Sequence, residues 1–497
     1  MTSPSSRAQL RGAALVLGLT LATMTAAALA VGGGPAAAGA PLPVTPEQLP
    51  PPAPLTFQPP ALTRTRLPHG MEAILLPDHR LPIIKLYALV KAGSIYDPPG
   101  RVGLASLAGA AMETGGTARY PADEMAETLE AVAAELHTAI GQEYAEVSLN
   151  VLAKDLPVAL PIFADLLRAP AFDPRKVEVE RAKMIDELRR QNESPWGTSH
   201  REVRKVLYGA DSPWARTPTI RGALRITRDD LVAFHQQYFH PHATILAAAG
   251  DFEPARLTAQ LREAFAPWPP AAVSYPEVSA APREAVAKAV VMNRGDLTQT
   301  TVMVAELSGT RGRGPTFNRD RYAMDVLNFI LGGGGFTSIL TREIRSQRGL
   351  AYTAASSYNF ATDRGTFAVF AQTSVPRTGE VLALIGKALR EVTARPPGPA
   401  ELALAKRSLV NNFVFTFQNP GQIVREAALM DFYGYPKDFL ATYTRHIEAV
   451  TPDDCLRVAR TYIQPQALTT FVLGPAAQLA AQLRAYGKVE VRALPEP

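Results

Sequence analysis

A chain of 497 residues is too long for one hydrophobic core, so at least two domains are expected. Hydrophobic residues make up 47% and charged residues 20%, which excludes disorder as the state of the whole chain. The net charge of +5 comes from dispersed lysines and arginines without a basic run, so nucleic acid is not an expected partner.

Residues 1–40 read as a secretory signal. Arg7 and Arg11 form a positive start, residues 13–31 an apolar run, and Ala38-Gly39-Ala40 a small-x-small cleavage site, with Ala28-Leu29-Ala30 as a second candidate. The alternative is an uncleaved anchor, because the run is nearly long enough to span a bilayer. Its richness in Ala, Gly and Thr favours cleavage, which would lower the charge from +5 to +3. No later segment is apolar enough to span, so no integral membrane span is expected after signal removal. The expected location is periplasmic or secreted. The one cysteine, Cys455, rules out a disulfide within the chain.

Residues 41–61 form a proline-rich arm, with nine prolines between positions 41 and 60; such a segment cannot pack a core. A second breaker zone, residues 267–283, carries Pro267, Pro269, Pro270, Pro276 and Pro282. It separates an expected N-terminal domain, residues 62–266, from a C-terminal one, residues 284–497.

In the first domain, residues 71–76 and 83–91 read as strands around a turn at Pro77-Asp78-His79. Helices are expected over 103–113 and 122–134, a strand over 144–152 and a helix over 156–167. A long helix starts at Pro174, a residue suited to the first helical position, with Val177, Met184 and Leu188 as its apolar stripe. A helix over 227–238, a strand over 243–250 and a helix over 254–265 follow. The second domain repeats the rhythm. Strands are expected over 289–292, 299–306, 352–360, 365–373 and 468–473, and helices over 319–331, 337–345, 378–393, 399–417, 422–432 and 452–462. Strands and helices mix without strict alternation. The expected fold is α+β: two similar halves, each a mainly antiparallel sheet with helices packed on one face.

The order of short motifs then becomes specific. Gly93-Ser94-Ile95-Tyr96-Asp97, Gly103-Leu104-Ala105 and Gly115-Gly116-Thr117 come first. Phe172-Asp173-Pro174 with Glu178, Glu180 and Asp186-Glu187 follows, then Tyr238-Phe239-His240-Pro241-His242 and Ala249-Gly250-Asp251-Phe252. Together with Gly332 through Tyr358, this succession resembles the insulinase/pitrilysin zinc metallopeptidases, which include the mitochondrial processing peptidases. The likeness covers about residues 62–480, and it implies the processing-peptidase fold.

The family carries an inverted His-x-x-Glu-His motif and a distant Glu. Two His at i and i+4 share a helix face and can hold zinc, and the Glu between them acts as general base on metal-bound water. Alignment on Gly103-Leu104-Ala105 places Ser106, Gly109 and Ala110 at those three positions. Glu187 matches the distant ligand and Glu180 its supporting acid. Ala110 has no donor, Gly109 no base and Ser106 only a poor neutral ligand, so this chain is expected to bind no zinc. Glu180 and Glu187 also fit a merely solvated acidic face. His240 and His242 flank Pro241 without an evident third ligand, which favours a structural role.

The resemblance implies a different role for the second domain. Arg345 and Tyr352 match an Arg/Tyr pair that, in two-chain bacterial relatives, is supplied to a zinc-bearing partner subunit. An Arg offers fixed donors to a carbonyl or carboxylate, and a Tyr hydroxyl can donate to a developing oxyanion. Gly349 is expected to end the helix before the strand carrying Tyr352. Arg342 and Arg348 are alternatives for the cationic role. Gly332–Gly335 precedes a helix but lacks a following Gly-Lys-Ser/Thr, so a close-packed turn or hinge is favoured over phosphate binding.

The expected function is therefore a non-catalytic, substrate-binding subunit of a heterodimeric zinc peptidase. Zinc is expected in the partner, and the substrate would be a peptide or unfolded polypeptide. The alternative is a structural or scaffold protein of the same fold, without a role in proteolysis.

Overall fold

The computed structural model describes residues 60–282, 287–415, 417 and 419–495. The expected signal, residues 1–40, and residues 41–59 of the expected proline-rich arm lie outside the described residues.

The first half holds six strands, β1 (Thr63–Arg66), β2 (Glu72–Pro77), β3 (Ile83–Val90), β4 (Glu135–Ile140), β5 (Ala145–Leu152) and β6 (Thr244–Gly250). Its helices are α1 (Leu104–Thr114), α2 (Ala122–Ala131), α3 (Leu156–Arg168), α4 (Pro174–Arg190), α5 (Pro195–Tyr208), α6 (Ile220–Arg225), α7 (Arg228–Tyr238) and α8 (Pro254–Phe265). The sheet order is β1-β2-β6-β3-β5-β4, antiparallel at every junction except β2–β6.

The second half repeats the plan with β7 (Lys288–Asn293), β8 (Gln299–Leu307), β9 (Ala351–Tyr358), β10 (Thr366–Ser374), β11 (Thr469–Gly474) and β12 (Val489–Ala493). Its helices are α9 (Asp320–Asn328), α10 (Thr378–Ala394), α11 (Pro399–Phe415), α12 (Pro420–Tyr433), α13 (Phe439–Ala449), α14 (Pro452–Tyr462) and α15 (Ala476–Leu483). Here the order is β12-β7-β11-β8-β10-β9, with β7 parallel to both neighbours.

Successive side chains of a strand point to opposite faces, and each sheet has apolar residues on both faces to cover. In the first half, Ile84, Leu86, Ala88 and Val90 face the main core with Val147, Leu149 and Val151. Ile74, Leu76, Leu89, Ala247 and Ala249 face the other way. That second face is closed by Ile423, Val424, Ala427 and Ala428 of α12, a helix of the second half. The arrangement is reciprocated. Val290, Met292, Met303, Ala305, Phe471 and Leu473 lie on the back of the second sheet, under Val203 and Val206 of α5 from the first half. Arg425 on α12 adds an ion pair to Glu146 on β5, Nη2–Oε2 2.8 Å. One-faced helix packing therefore holds within each half, and the back face of each sheet is sealed by a helix lent from the other.

β8 is buried along nearly its whole length and carries one carboxylate inward. Glu306 is 4% exposed and accepts a hydrogen bond from Gln464 N at 3.0 Å. Burial pushes its carboxyl up to about 7.

Two expected helices differ from their sequence reading. The helix beginning at Asp320 relaxes into a wider π turn at Phe329–Gly333, and the next is π-helical over Thr341–Ser346. Gly332 lies in the first of these turns, where an added Cβ would lie 2.3 Å from Ser356 N on β9. The glycine run is a close-packed turn against a strand, with no phosphate cradle implied.

Candidate functional site

The first half builds α1 with care. Gly103 takes φ +104°, a conformation suited to glycine, and starts the helix. Asp97 caps that end: Oδ2 accepts from Gly103 N at 2.7 Å and Oδ1 from Ala105 N at 2.9 Å. Burial raises the Asp97 carboxyl to about 6 against the lowering pull of these bonds. Arg216 Nη2 donates to the carbonyls of Ser94, Ile95 and Asp97 and holds the capping loop. The Gly93–Asp97 motif thus positions α1 mechanically.

α4 packs against α1, and Met184 lies close enough to Gly103 that an added Cβ would sit 2.3 Å from its methyl carbon. Asp173 caps α4 by accepting from Arg175 N at 2.8 Å and Lys176 N at 3.2 Å, with Pro174 in the first turn. Val177 and Leu188 are buried and Met184 packs against the core, as the stripe predicts.

The three zinc-motif positions lie on this well-fixed helix, with Ser106 exposed, Gly109 buried and Ala110 half-buried. A Cβ at Gly109 would lie 3.0 Å from Ile140 Cγ1 and 3.3 Å from Ile140 N on β4. The strand packs tightly where a side chain at this position would begin. On α4, buried Glu180 holds Lys183 Nζ at 2.8 Å, whereas Glu187 is exposed. One exposed carboxylate, a serine hydroxyl, a glycine and an alanine do not fit a catalytic zinc ion. No group of three or more His, Cys, Asp or Glu able to hold a metal occurs among the described residues. His240 and His242 stack with ring centroids 6.0 Å apart, and His240 Nε2 donates to the Gln236 carbonyl at 2.8 Å.

β4 ends the first sheet, and its exposed edge is partly occupied. Glu113 on α1 accepts from Thr138 N at 2.7 Å. A carboxylate of the zinc-motif helix therefore takes a strand N–H that an added strand would need.

The second half presents the opposite picture. Arg345 sits in the π turn Thr341–Ser346, where Gln347 N bonds to Arg342 O five residues back. Gly349, at φ +61°, reverses the chain into β9 as expected. Tyr352 then stands on the outer strand of the second sheet and is 79% exposed. The Arg345 guanidinium carbon lies 4.7 Å from the Tyr352 ring centroid and 4.7 Å from that of Phe336.

Phe336, 67% exposed, was not singled out in the sequence; an aromatic directly after Gly332–Gly335 was the available signal. Arg348 is committed to Glu343 at 2.9 Å, and Arg342 lies 3.9 Å from Glu343 and from Glu401. Arg345 has no ion pair among the described residues, so it is the free cation of the three. No hydrogen bond, ion pair or ring contact among the described residues joins Arg345 or Tyr352 to α1 or α4.

Comparison with known proteins matches both halves to one family. The insulinase (peptidase family M16) model covers residues 79–210, and the peptidase M16 inactive domain model covers residues 225–409. An uncharacterized zinc protease of Streptomyces coelicolor is 27% identical over 412 residues, 80% of this chain and 86% of the relative. A non-peptidase homologue of Helicobacter pylori is 23% identical over 394 residues, 79% of this chain and 89% of the relative. The crystal structure of a peptidase M16 inactive domain from Pseudomonas fluorescens superimposes with a TM-score of 0.74 at 24% identity, covering 84% of this chain and 98% of that one. With two sheets of the same plan and a zinc motif reduced to Ser106, Gly109 and Ala110, the chain belongs to the insulinase-type M16 peptidase family as a member lacking the inverted zinc motif.

Proposed function

We propose that this chain is the substrate-binding subunit of a two-chain zinc metallopeptidase, active only with a homologous subunit that carries the zinc ligands. The observation that carries this reading is the free Arg345 beside exposed Tyr352 on an outer strand, in a chain whose three motif positions are Ser106, Gly109 and Ala110. In the complex, Arg345 donates to a peptide carbonyl or carboxylate. The Tyr352 hydroxyl donates to the oxyanion that develops on the scissile carbonyl. The outer edge of β9 takes an extended or unfolded peptide by strand addition. Glu113 already engages one edge N–H of β4, which favours β9 over β4 for that role. The signal-like residues 1–40 support a periplasmic or secreted location.

The non-peptidase homologue favours a second reading, a scaffold of the same fold. Purification of the chain alone and with a zinc-bearing homologue, with peptide cleavage and zinc content measured in each, separates the two. The subunit reading expects cleavage only in the pair and zinc only in the partner. Cleavage and stoichiometric zinc in this chain alone would sink it. A stable pair whose turnover ignores Arg345→Ala and Tyr352→Phe would establish the scaffold.

A further inference from the structure

A cavity of about 340 Å³ opens between the two halves; no residue of α1 or of the Arg345 turn lines it. Lys91, Tyr96 and Trp214 line it from the first half, and Arg311, Arg313 and Tyr433 from the second. Its size falls in the range of small-ligand sites.

The charge balance of the walls is uneven. Arg311 is only 8% exposed, lies 3.8 Å over the Tyr433 ring and 5.9 Å from that of Tyr435, and among the described residues has one long side-chain hydrogen bond, 3.5 Å to Thr362 Oγ1. Lys91 is half-buried with Nζ 4.1 Å above the Tyr275 ring. Arg313, exposed at the rim, donates to the Phe432 carbonyl at 2.8 Å. None of these three cations forms an ion pair among the described residues. Two carboxylates share the wall. Asp431 is already bound by Arg64, and Glu143 faces Tyr433. Three cations therefore share the wall with one carboxylate outside an ion pair, Glu143, which is hydrogen-bonded to Tyr433, and burying a guanidinium without a paired counter-charge is costly.

We propose that this cavity binds a small organic oxyanion, a carboxylate or a phosphate ester, with an apolar or aromatic body. The anionic head would meet Arg311 and Lys91, and the body would lie among Tyr96, Trp214 and Phe432. Because the walls come from both halves, the ligand would clamp them together. This site is independent of the proteolytic reading.

The test is calorimetric titration of the folded chain with four probes: phenylacetate, phenyl phosphate, benzylamine and inorganic phosphate. Phenylacetate, phenyl phosphate or both should bind and raise the melting temperature; benzylamine should not. Which of the two anions binds distinguishes a carboxylate from a phosphate source. Arg311→Gln should weaken binding at least tenfold. Because Arg311 is buried, Lys91→Gln serves as a second variant and should weaken it severalfold while leaving the circular dichroism unchanged. The proposal is overturned if neither ring-bearing anion binds, if benzylamine binds as well, or if Lys91→Gln and a folded Arg311→Gln leave affinity unchanged. Inorganic phosphate matching phenyl phosphate would remove the apolar body from it.

Discussion

The two halves share a sheet plan and have diverged in opposite ways. In the first, the scaffolding of a metal site persists: Asp97 caps α1, Gly103 admits Met184, and Asp173 starts α4. The motif positions hold Ser106, Gly109 and Ala110, and Ile140 packs close to Gly109. In the second half Arg345 lies within 4.7 Å of the centroids of two rings, Phe336 and Tyr352, that are 67% and 79% exposed. The placing of an element and the chemistry it carries are thus separable. The capping and packing that fix α1 require no bound ion.

The strongest way to break this comparison is kinetic. In the complex with a zinc-bearing partner, Arg345→Ala should lower turnover by roughly 10²–10³-fold and Tyr352→Phe by about 10²-fold, the scale of losing one oxyanion donor. Ser106→Ala and Glu187→Gln should leave it within about twofold, since neither residue meets substrate in this reading. Steady-state peptide cleavage measures all four. A large loss with Glu187→Gln would place chemistry in the first half and reverse the contrast.

Much of this architecture was legible. Helix starts at Pro174, Pro254 and Pro452 are readable because proline's fixed φ acts locally, joined at Pro174 and Pro452 by the side-chain caps of Asp173 and Thr451. β4 and α5 were missed for different reasons. β4 buries Leu136 and Thr138 but alternates them with Glu135 and His137, too weak a pattern to stand out beside the preceding helix. α5 buries Val203 and Val206 against the other half, so its apolar signal answers to strands as distant in sequence as Phe471 and Leu473. Of the site, the spacing of Arg345 and Tyr352 was readable, whereas the π turn and the third member Phe336 depend on contacts that no local pattern encodes.

The lent helices sharpen the comparison by asking whether the halves are energetically separate. Val424 on α12 is fully buried against the first sheet, and Val206 on α5 is 7% exposed against the second. Val424→Ala should cost about 2 kcal/mol and Val206→Ala somewhat less, from lost burial plus a residual cavity. Urea unfolding followed by circular dichroism should show one transition that shifts as a whole. Two separated transitions, with only one moved by either variant, would show that the halves fold independently.

A smaller effect tests whether packing has locked the loss of the zinc motif. Gly109→Glu should destabilise the chain by roughly 1–2 kcal/mol, because the new Cβ crowds Ile140. Combined with Ile140→Ala, the variant should recover most of that cost. A double-mutant cycle in urea would read a coupling of about 1 kcal/mol. A coupling near zero would mean that β4 yields freely and the gap at Gly109 is incidental.

The smallest effect compares one buried carboxylate from each half. Asp97 and Glu306 are both raised by burial, to about 6 and about 7. A raised carboxyl binds its proton more tightly in the folded state. Its contribution is therefore complete below the unfolded value and is lost as pH climbs through the folded one. For Glu306 that window runs from 4.5 to about 7. Glu306 accepts one backbone N–H, which a glutamine oxygen can still accept. Glu306→Gln should then stabilise the chain at pH 8 by on the order of 1 kcal/mol, and flatten the loss of stability between pH 5 and 8. Asp97 accepts two backbone N–H bonds, one on each oxygen, and an asparagine would turn an NH₂ toward one of those donors. Asp97→Asn should therefore destabilise at every pH, because its carboxylate is a cap before it is a charge. Melting curves from pH 5 to 8 separate the two, and stabilisation by Asp97→Asn at pH 8 would contradict the capping role given to the first half.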